Sequence, residues 1–421
     1  MIRERSFAVR ARCAVCGAVF PATWPESRHV CDKHDGLLKN EGVLDMEYDY
    51  AAVRKNFPAP HGEGMWRYRA LLPVSADSAV PPLYVGLTPM YGAAGIAAKC
   101  GLKWVGLKDE TRNPTHSLAD RAYALAAALA KERRFAALAA AVCGAEAVSA
   151  AAMSAAMGLR CVLFFPKGAV GHAGLCTRYG ARVFIVEGSF AEARELCAKA
   201  CEAIGWYDAS GNAMMAEGLK TAAVEIAEST GWSVPDAVFA GIGSGTAIAA
   251  LYRGFKDLEE MGVIHSVPKF FGVEPAGCDF LWQAEQDGLT SPRQILAKAA
   301  IGVPEWARAD ASLPPDRVKA MRAVRDSGGR CIRVGNELIG STADELARAV
   351  GILASAEGAL PAAGVYEAAK LGLLAGMEWV TVIVGEAPAP AAGCEPSGDV
   401  PESLPVGGAG LDMLKKKYGR E

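Results

Sequence analysis

Four potential metal ligands fall in two short pairs near the start of the chain, Cys13-x-x-Cys16 and Cys31-x-x-His34. Three thiols and one imidazole at this spacing suit tetrahedral zinc. Four protein ligands leave no open position, so the ion would be structural. The competing readings are chance pairs in a chain of 12 cysteines, or a redox pair at Cys13 and Cys16. A segment this short cannot build a full core, so the metal would supply its folding energy.

A second chemical stretch is Gly241-Ile242-Gly243-Ser244-Gly245-Thr246, between a strand-like and a helix-like segment. Glycines let successive N–H groups approach an anion, and the helix start adds a favourable field. Ser244 and Thr246 carry further donors. The plain alternative is tight packing of strand on helix. A third stretch is Thr115-His116-Ser117, ahead of an apolar helical pattern. A neutral histidine there can take up and return a proton; equally, it can fill space or cap the turn. Thr115 and Ser117 are candidates to orient a carboxylate or phosphate, or to cap the helix. Cys143 precedes Gly144 and a predicted helix start, which can activate a thiol, but no sequence-local base supports it. Lys220 either contacts an anion or pairs with Glu217 on a helix face.

The elements that must position these residues alternate. Strands are predicted at 103–107, 161–165, 182–186, 237–240, 270–273, 331–334 and 379–384. Helices are predicted at 117–129, 146–157, 191–204, 213–229, 245–252, 315–325, 343–353 and 366–374, with a short terminal helix at 411–418. Such alternation implies parallel sheets covered on both faces, an α/β fold. The Pro-, Gly- and Ala-rich stretch 386–410 reads as a linker or surface arm. With 421 residues, two packed domains plus additions are expected. The expected division is a zinc-ribbon-like module over 1–46, a larger α/β domain over 47–130 and 206–385, a smaller one over 131–205, and a C-terminal arm over 386–421.

The formal net charge of -3 does not favour nucleic acid as a partner. No apolar run suggests a membrane span, and the start has no signal-peptide pattern. The scattered cysteines suggest a reduced, cytoplasmic setting.

The run Lys108–Arg121 resembles the stretch that carries the cofactor lysine in threonine synthase and its fold-type-II relatives, including the cysteate-synthase-like branch. Around it, Asp45–Tyr50, Trp66-Arg67-Tyr68, Leu71-Leu72-Pro73, Glu217-Gly218-x-Lys220-Thr221 and Gly272-Val273-Glu274-Pro275 are also similar, over about residues 10–385. The resemblance implies a two-domain, tryptophan synthase beta-like architecture with the active site between the domains. In that family pyridoxal phosphate (PLP) forms an imine with a lysine. Here Ala119 stands at that position, so covalent PLP is not expected. Ala145 stands where the family's asparagine contacts the PLP ring oxygen. His116 replaces a glycine, and Gly385-Glu386 replaces the step that supports the pyridine nitrogen. Lys108 and Lys220 match positions where the family also often has lysine, so neither looks like a relocated imine residue.

These departures leave three readings. The first is a divergent lyase or transferase acting without covalent PLP on a small phosphorylated, sulfonated or carboxylated substrate, by acid–base elimination, addition or replacement. His116 and Ser117 would be its catalytic candidates. Thr115, Lys220, Gly241, Gly243, Ser244, Gly245 and Thr246 would hold the anion. The second is a non-catalytic binder of PLP or another metabolite. The third is a lysine-to-alanine form of an ordinary PLP-dependent enzyme. A homo-oligomer, possibly a dimer, fits all three.

Overall fold

A computed structural model describes residues 6–22, 31–33, 44–59, 62–210, 213–288, 316–388 and 401–419. Strands β1 (Ala8–Cys13), β2 (Val19–Pro21) and β3 (Leu44–Tyr48) form an antiparallel sheet in the order β2-β1-β3. Cys13, Leu44, Met46 and Tyr48 turn inward and join the main core, so this module leans on the larger domain.

The chain then lays down β4 (Met90–Gly92) and β5 (Trp104–Asp109) and crosses to the smaller domain. There it forms β6 (Ala137–Ala141), β7 (Arg160–Pro166), β8 (Arg182–Val186) and β9 (Tyr207–Asp208). It returns for β10 (Ala237–Gly241), β11 (Lys269–Pro275), β12 (Arg330–Val334) and β13 (Trp379–Val384). The large sheet has the order β12-β11-β10-β13-β5-β4, parallel except for β4. Its inner strands are apolar along both faces, as strands covered on two sides must be.

The expected linker over 386–410 needs correction. Residues 402–404 form β14 (Glu402–Leu404), parallel to β8 on the small sheet, whose order is β14-β8-β7-β6-β9. The Gly407–Tyr418 helix packs on the Phe190–Ile204 helix, burying Leu404 and Leu414. Tyr418 meets the Trp206 ring edge-on at 5.2 Å. Residues 402–418 therefore belong with the smaller sheet. Its far edge extends to β9, past the expected limit at 205.

Two expected helices differ in detail. The 213–229 stretch breaks into Ala213–Leu219 and Thr221–Ser229 at Lys220. The 343–353 stretch is the end of an Asn336–Glu345 helix followed by a wider turn over Leu346–Val350. Helix starts follow side-chain chemistry. Ser189 and Glu192 form a reciprocal capping box, and Ser355 Oγ accepts from Gly358 N at 3.0 Å.

Candidate functional site

A cleft of about 960 Å³ lies between the two α/β domains. One wall is the start of the Ala119–Glu132 helix, through Ser117, Ala119 and Tyr123. A second is the Cys143–Glu146 turn at the start of the Glu146–Ala156 helix. The loop after β10 and the strand end at Gly385–Ala387 complete the large-domain side. Ala119 is the first residue of its helix and offers the cleft a methyl group. Ala145 offers another.

The helix with Ala119 is rigidly seated. Arg121 is fully buried and donates to Glu110 at 2.8 Å and to Glu225 at 2.5 and 2.7 Å. Lys108 also reaches Glu225, at 2.6 Å. Burial alone would push Glu225 up, but the charges of Arg121 and Lys108 hold it down to about 2. Lys108 is therefore a framework residue.

Glycine-loop residues Gly241, Gly243, Ser244 and Thr246 line the cleft together, as the sequence suggests. Gly245 lies outside the cleft-lining set. Its φ is +85°, and a Cβ there would stand 2.9 Å from Ala320 Cβ, facing the Arg317–Asp326 helix. The hydroxyls are also directed inward. Ser244 Oγ donates to Thr246 Oγ1 at 3.0 Å, and Thr246 Oγ1 donates to Asp316 Oδ2 at 2.7 Å. An anion here would meet backbone N–H groups at the helix start. Arg194, on the Phe190–Ile204 helix of the smaller domain, lines the same cleft. Burial pushes the Asp316 carboxyl up, while Lys319, the Thr246 hydroxyl and Arg194 pull it back in part. Arg194 carries no local mark in the sequence, because it lies on an ordinary amphipathic helix.

The acidic end of the cleft was largely missed. Glu386 accepts from Ser355 Oγ at 3.1 Å and hydrogen-bonds Glu357. Burial, then the neighbouring Glu357 charge, pushes Glu386 up to about 8. Its backbone is fixed: Leu118 N donates to Gly385 O at 2.8 Å, and Ser355 N donates to Glu386 O at 3.0 Å. Gly358 permits this approach, since a Cβ there would stand 2.2 Å from Glu386 O. Glu146 and His172 also line the cleft; burial lowers the His172 pKa and Glu357 opposes that shift. Cys143 lines it too, its Sγ 3.7 Å from Glu146 Oε1.

Other expected site residues fall elsewhere. His116 is exposed and lies outside the cleft-lining set. Its φ is +63°, a left-handed conformation that suits the glycine of the resembling family, and Nδ1 is 2.9 Å from Thr111 O. The loop turns its side chain toward that carbonyl, so the proton-transfer role expected for it has no support in the geometry. Thr115 donates its N–H and hydroxyl to Asp120, at 2.7 and 2.6 Å, and thereby ties the loop to the helix. Asp120 thus caps back to Thr115. Ser117 does line the cleft. Lys220 is fully buried, between Glu217 at 2.5 Å and Asp257 at 2.6 Å, beneath the Tyr48 ring. Its charge is neutralised there and it makes no anion site. In the N-terminal module the ligand atoms of Cys13, Cys16 and Cys31 lie within 4.8 Å of one another. His34 lies outside the described residues.

Residues 82–385 match the family described as pyridoxal-phosphate dependent enzyme. Threonine synthase of Methanosarcina acetivorans is 29 % identical over 383 residues, 88 % of this chain and 90 % of that protein. Threonine synthase of Mycobacterium tuberculosis (strain H37Rv) is 30 % identical over 315 residues, 73 % of this chain and 83 % of that protein. Maize serine racemase shares the fold with a TM-score of 0.60 at 17 % identity, over 72 % of this chain and 90 % of that one. The processed form of threonine deaminase isoform 2 from Solanum lycopersicum does so with a TM-score of 0.59 at 18 % identity, over 79 % and 84 %. Sequence, fold and the cleft between two α/β domains agree: the chain belongs to the threonine synthase-like family of pyridoxal-phosphate dependent enzymes.

Proposed function

We propose that this chain is a divergent lyase or transferase that works on a small anionic metabolite in the cleft without a PLP imine. The observation that carries the reading is Ala119. It lines the cleft at the first turn of its helix, beside the glycine loop and the acid pair. A methyl group cannot form an imine. Among the described residues that line the cleft the one lysine is Lys167, whose ammonium is 2.5 Å from Glu187. Ala145 lacks a donor for a ring oxygen. The residues present do not fit covalent PLP, and no step is routed through it.

What remains suits binding and proton transfer. Backbone N–H groups after β10 and the Arg194 guanidinium from the opposite domain would hold a phosphate, sulfonate or carboxylate. Glu386, sharing a proton with Glu357, takes the acid–base role that the sequence suggested for His116. A carboxyl near 8 can both donate and accept close to neutrality. In an elimination, the pair takes a proton from carbon, the C–H electrons form the double bond, and the leaving group departs with its bonding pair. Without a cofactor electron sink, the substrate must carry its own activating group.

The test is binding of inorganic phosphate by calorimetry, with PLP and borohydride as a second arm. Phosphate should bind the wild type, and Arg194→Ala should weaken it about tenfold, the loss of one charge-assisted contact. Borohydride should fix no PLP on any cleft residue. Absence of phosphate binding, or a reduced PLP–lysine peptide, would sink the reading.

We also propose that Cys13, Cys16 and Cys31, with His34, hold structural zinc. Convergence of three thiols in a small sheet supports it. Cys16→Ser should lose one equivalent of zinc by elemental analysis and unfold this module at lower temperature. An unchanged zinc content would refute it.

A further inference from the structure

A second group of metal-ligand atoms lies behind the cleft, in the smaller domain. Cys197 and Cys201 sit one turn apart near the end of the Phe190–Ile204 helix, and both are buried. An i, i+4 spacing puts both side chains on one helix face. That face looks toward Asp208, the last residue of β9. The two Sγ atoms and a carboxylate oxygen of Asp208 lie within 4.8 Å of one another. Neither thiol is in a disulfide.

Ser210 connects this group to the cleft. Its Oγ stands 3.4 Å from Cys197 Sγ and accepts from Ala141 N at 2.9 Å. Its N–H donates to Asp208 Oδ1 at 2.8 Å, which orients the carboxylate. Ser210 itself lines the cleft. The carboxylate is thus oriented, and the group lies one residue behind the cleft wall, two features that a metal site needs.

We propose that Cys197, Cys201 and Asp208 bind a second divalent ion of the thiolate-preferring class that zinc represents, entering past Ser210. Two thiolates and a carboxylate supply three corners of a tetrahedron, and water or the Ser210 hydroxyl supplies the fourth. On binding, the two thiols lose their protons to solvent and the carboxylate keeps its charge. The three ligands carry three negative charges against two on the ion. The site therefore ends with one net negative charge, the same as three thiolates and an imidazole would leave. Such an ion would bolt the end of the Phe190–Ile204 helix to β9 and stiffen the cleft wall at Ser210. Without metal, the same residues would be a hydrogen-bonded patch of core, which is the competing account.

The test uses the full chain purified with zinc and then challenged with a chelator. Elemental analysis should show that Cys197→Ala/Cys201→Ala carries one equivalent less than wild type, and that Cys16→Ser retains this equivalent. Cobalt(II) added to the Cys16→Ser protein should give thiolate-to-metal charge-transfer absorption, absent when Cys197 and Cys201 are also replaced. If the double variant does not fold, Asp208→Asn serves: it should release its metal to the chelator at least about tenfold faster. As a further readout, zinc should protect Cys197 and Cys201 of the wild-type protein from alkylation at a denaturant concentration that opens the smaller domain. Equal metal content in wild type and the folded double variant, or equal alkylation with and without zinc, would overturn the proposal.

Discussion

Glu386 gives the cleft a pH signature that a single substitution can expose. Burial and the Glu357 charge raise its carboxyl from an ordinary 4.5 to about 8. The folded state thus prefers the protonated form. The resulting stability is fully present below about 4.5 and is lost as pH rises through about 8. Glu386→Gln cannot ionise and keeps a group able to bond Glu357 and Ser355. Its melting temperature should match wild type near pH 4 to 5 and exceed it near pH 9. Parallel melting curves across that range would show that Glu386 holds no proton of this kind. Glu274, also raised to about 8 by burial, stays in both proteins and cancels in the difference.

At the scale of elements, the start of the Ala356–Lys370 helix is pressed against the end of β13. Gly358 makes that contact possible, with 2.2 Å between a built Cβ and Glu386 O. Gly358→Ala must move the strand end or the helix. It should cost about 1–3 kcal/mol in denaturant unfolding, the usual range for overpacking, and shift phosphate affinity as Glu386 moves. A change below about 0.5 kcal/mol would mean that the junction yields freely. Legibility in the sequence follows the same physics. β8 and β13 could be read to the residue because an apolar run with sharp ends has one reading as a buried strand. β14 could not: it has three residues, one of them buried, and takes its meaning from a partner some 220 positions away. The glycine loop was visible because its function lies in consecutive residues. Arg194, Glu357 and Glu386 line one cleft from three separate segments, and no local pattern marks such a convergence. His116 misled for a related reason. Its type suggested chemistry, while its left-handed backbone turned it toward Thr111.

Across the whole molecule, the chain returns to the smaller sheet, over residues 402–418, after the large sheet is complete. Leu404 and Leu414 cover apolar surface on that domain's outer core, together with Phe184 and Trp206. A chain ending at Pro388 would expose this face, at about 1.5–3 kcal/mol for each large side chain uncovered. Amide hydrogen exchange should then rise across β6, β7 and β8 and stay near wild type in β10 and β11. Uniform exchange in both domains would mean that the return segment is decoration.

The order of strands in the large sheet also bears on how the chain is made. β13 lies at the centre, between β10 and β5, although it is the last of the six to be synthesised. β5 and β10 therefore lack their shared neighbour until Val384 has left the ribosome. β14 imposes the same delay on the smaller sheet until Leu404 has emerged. Neither domain can be completed in turn as the chain grows; each waits for a strand made after most of the other domain. Before then, edges of two apolar sheets are uncovered, and the nascent chain has its greatest need of protection from its neighbours.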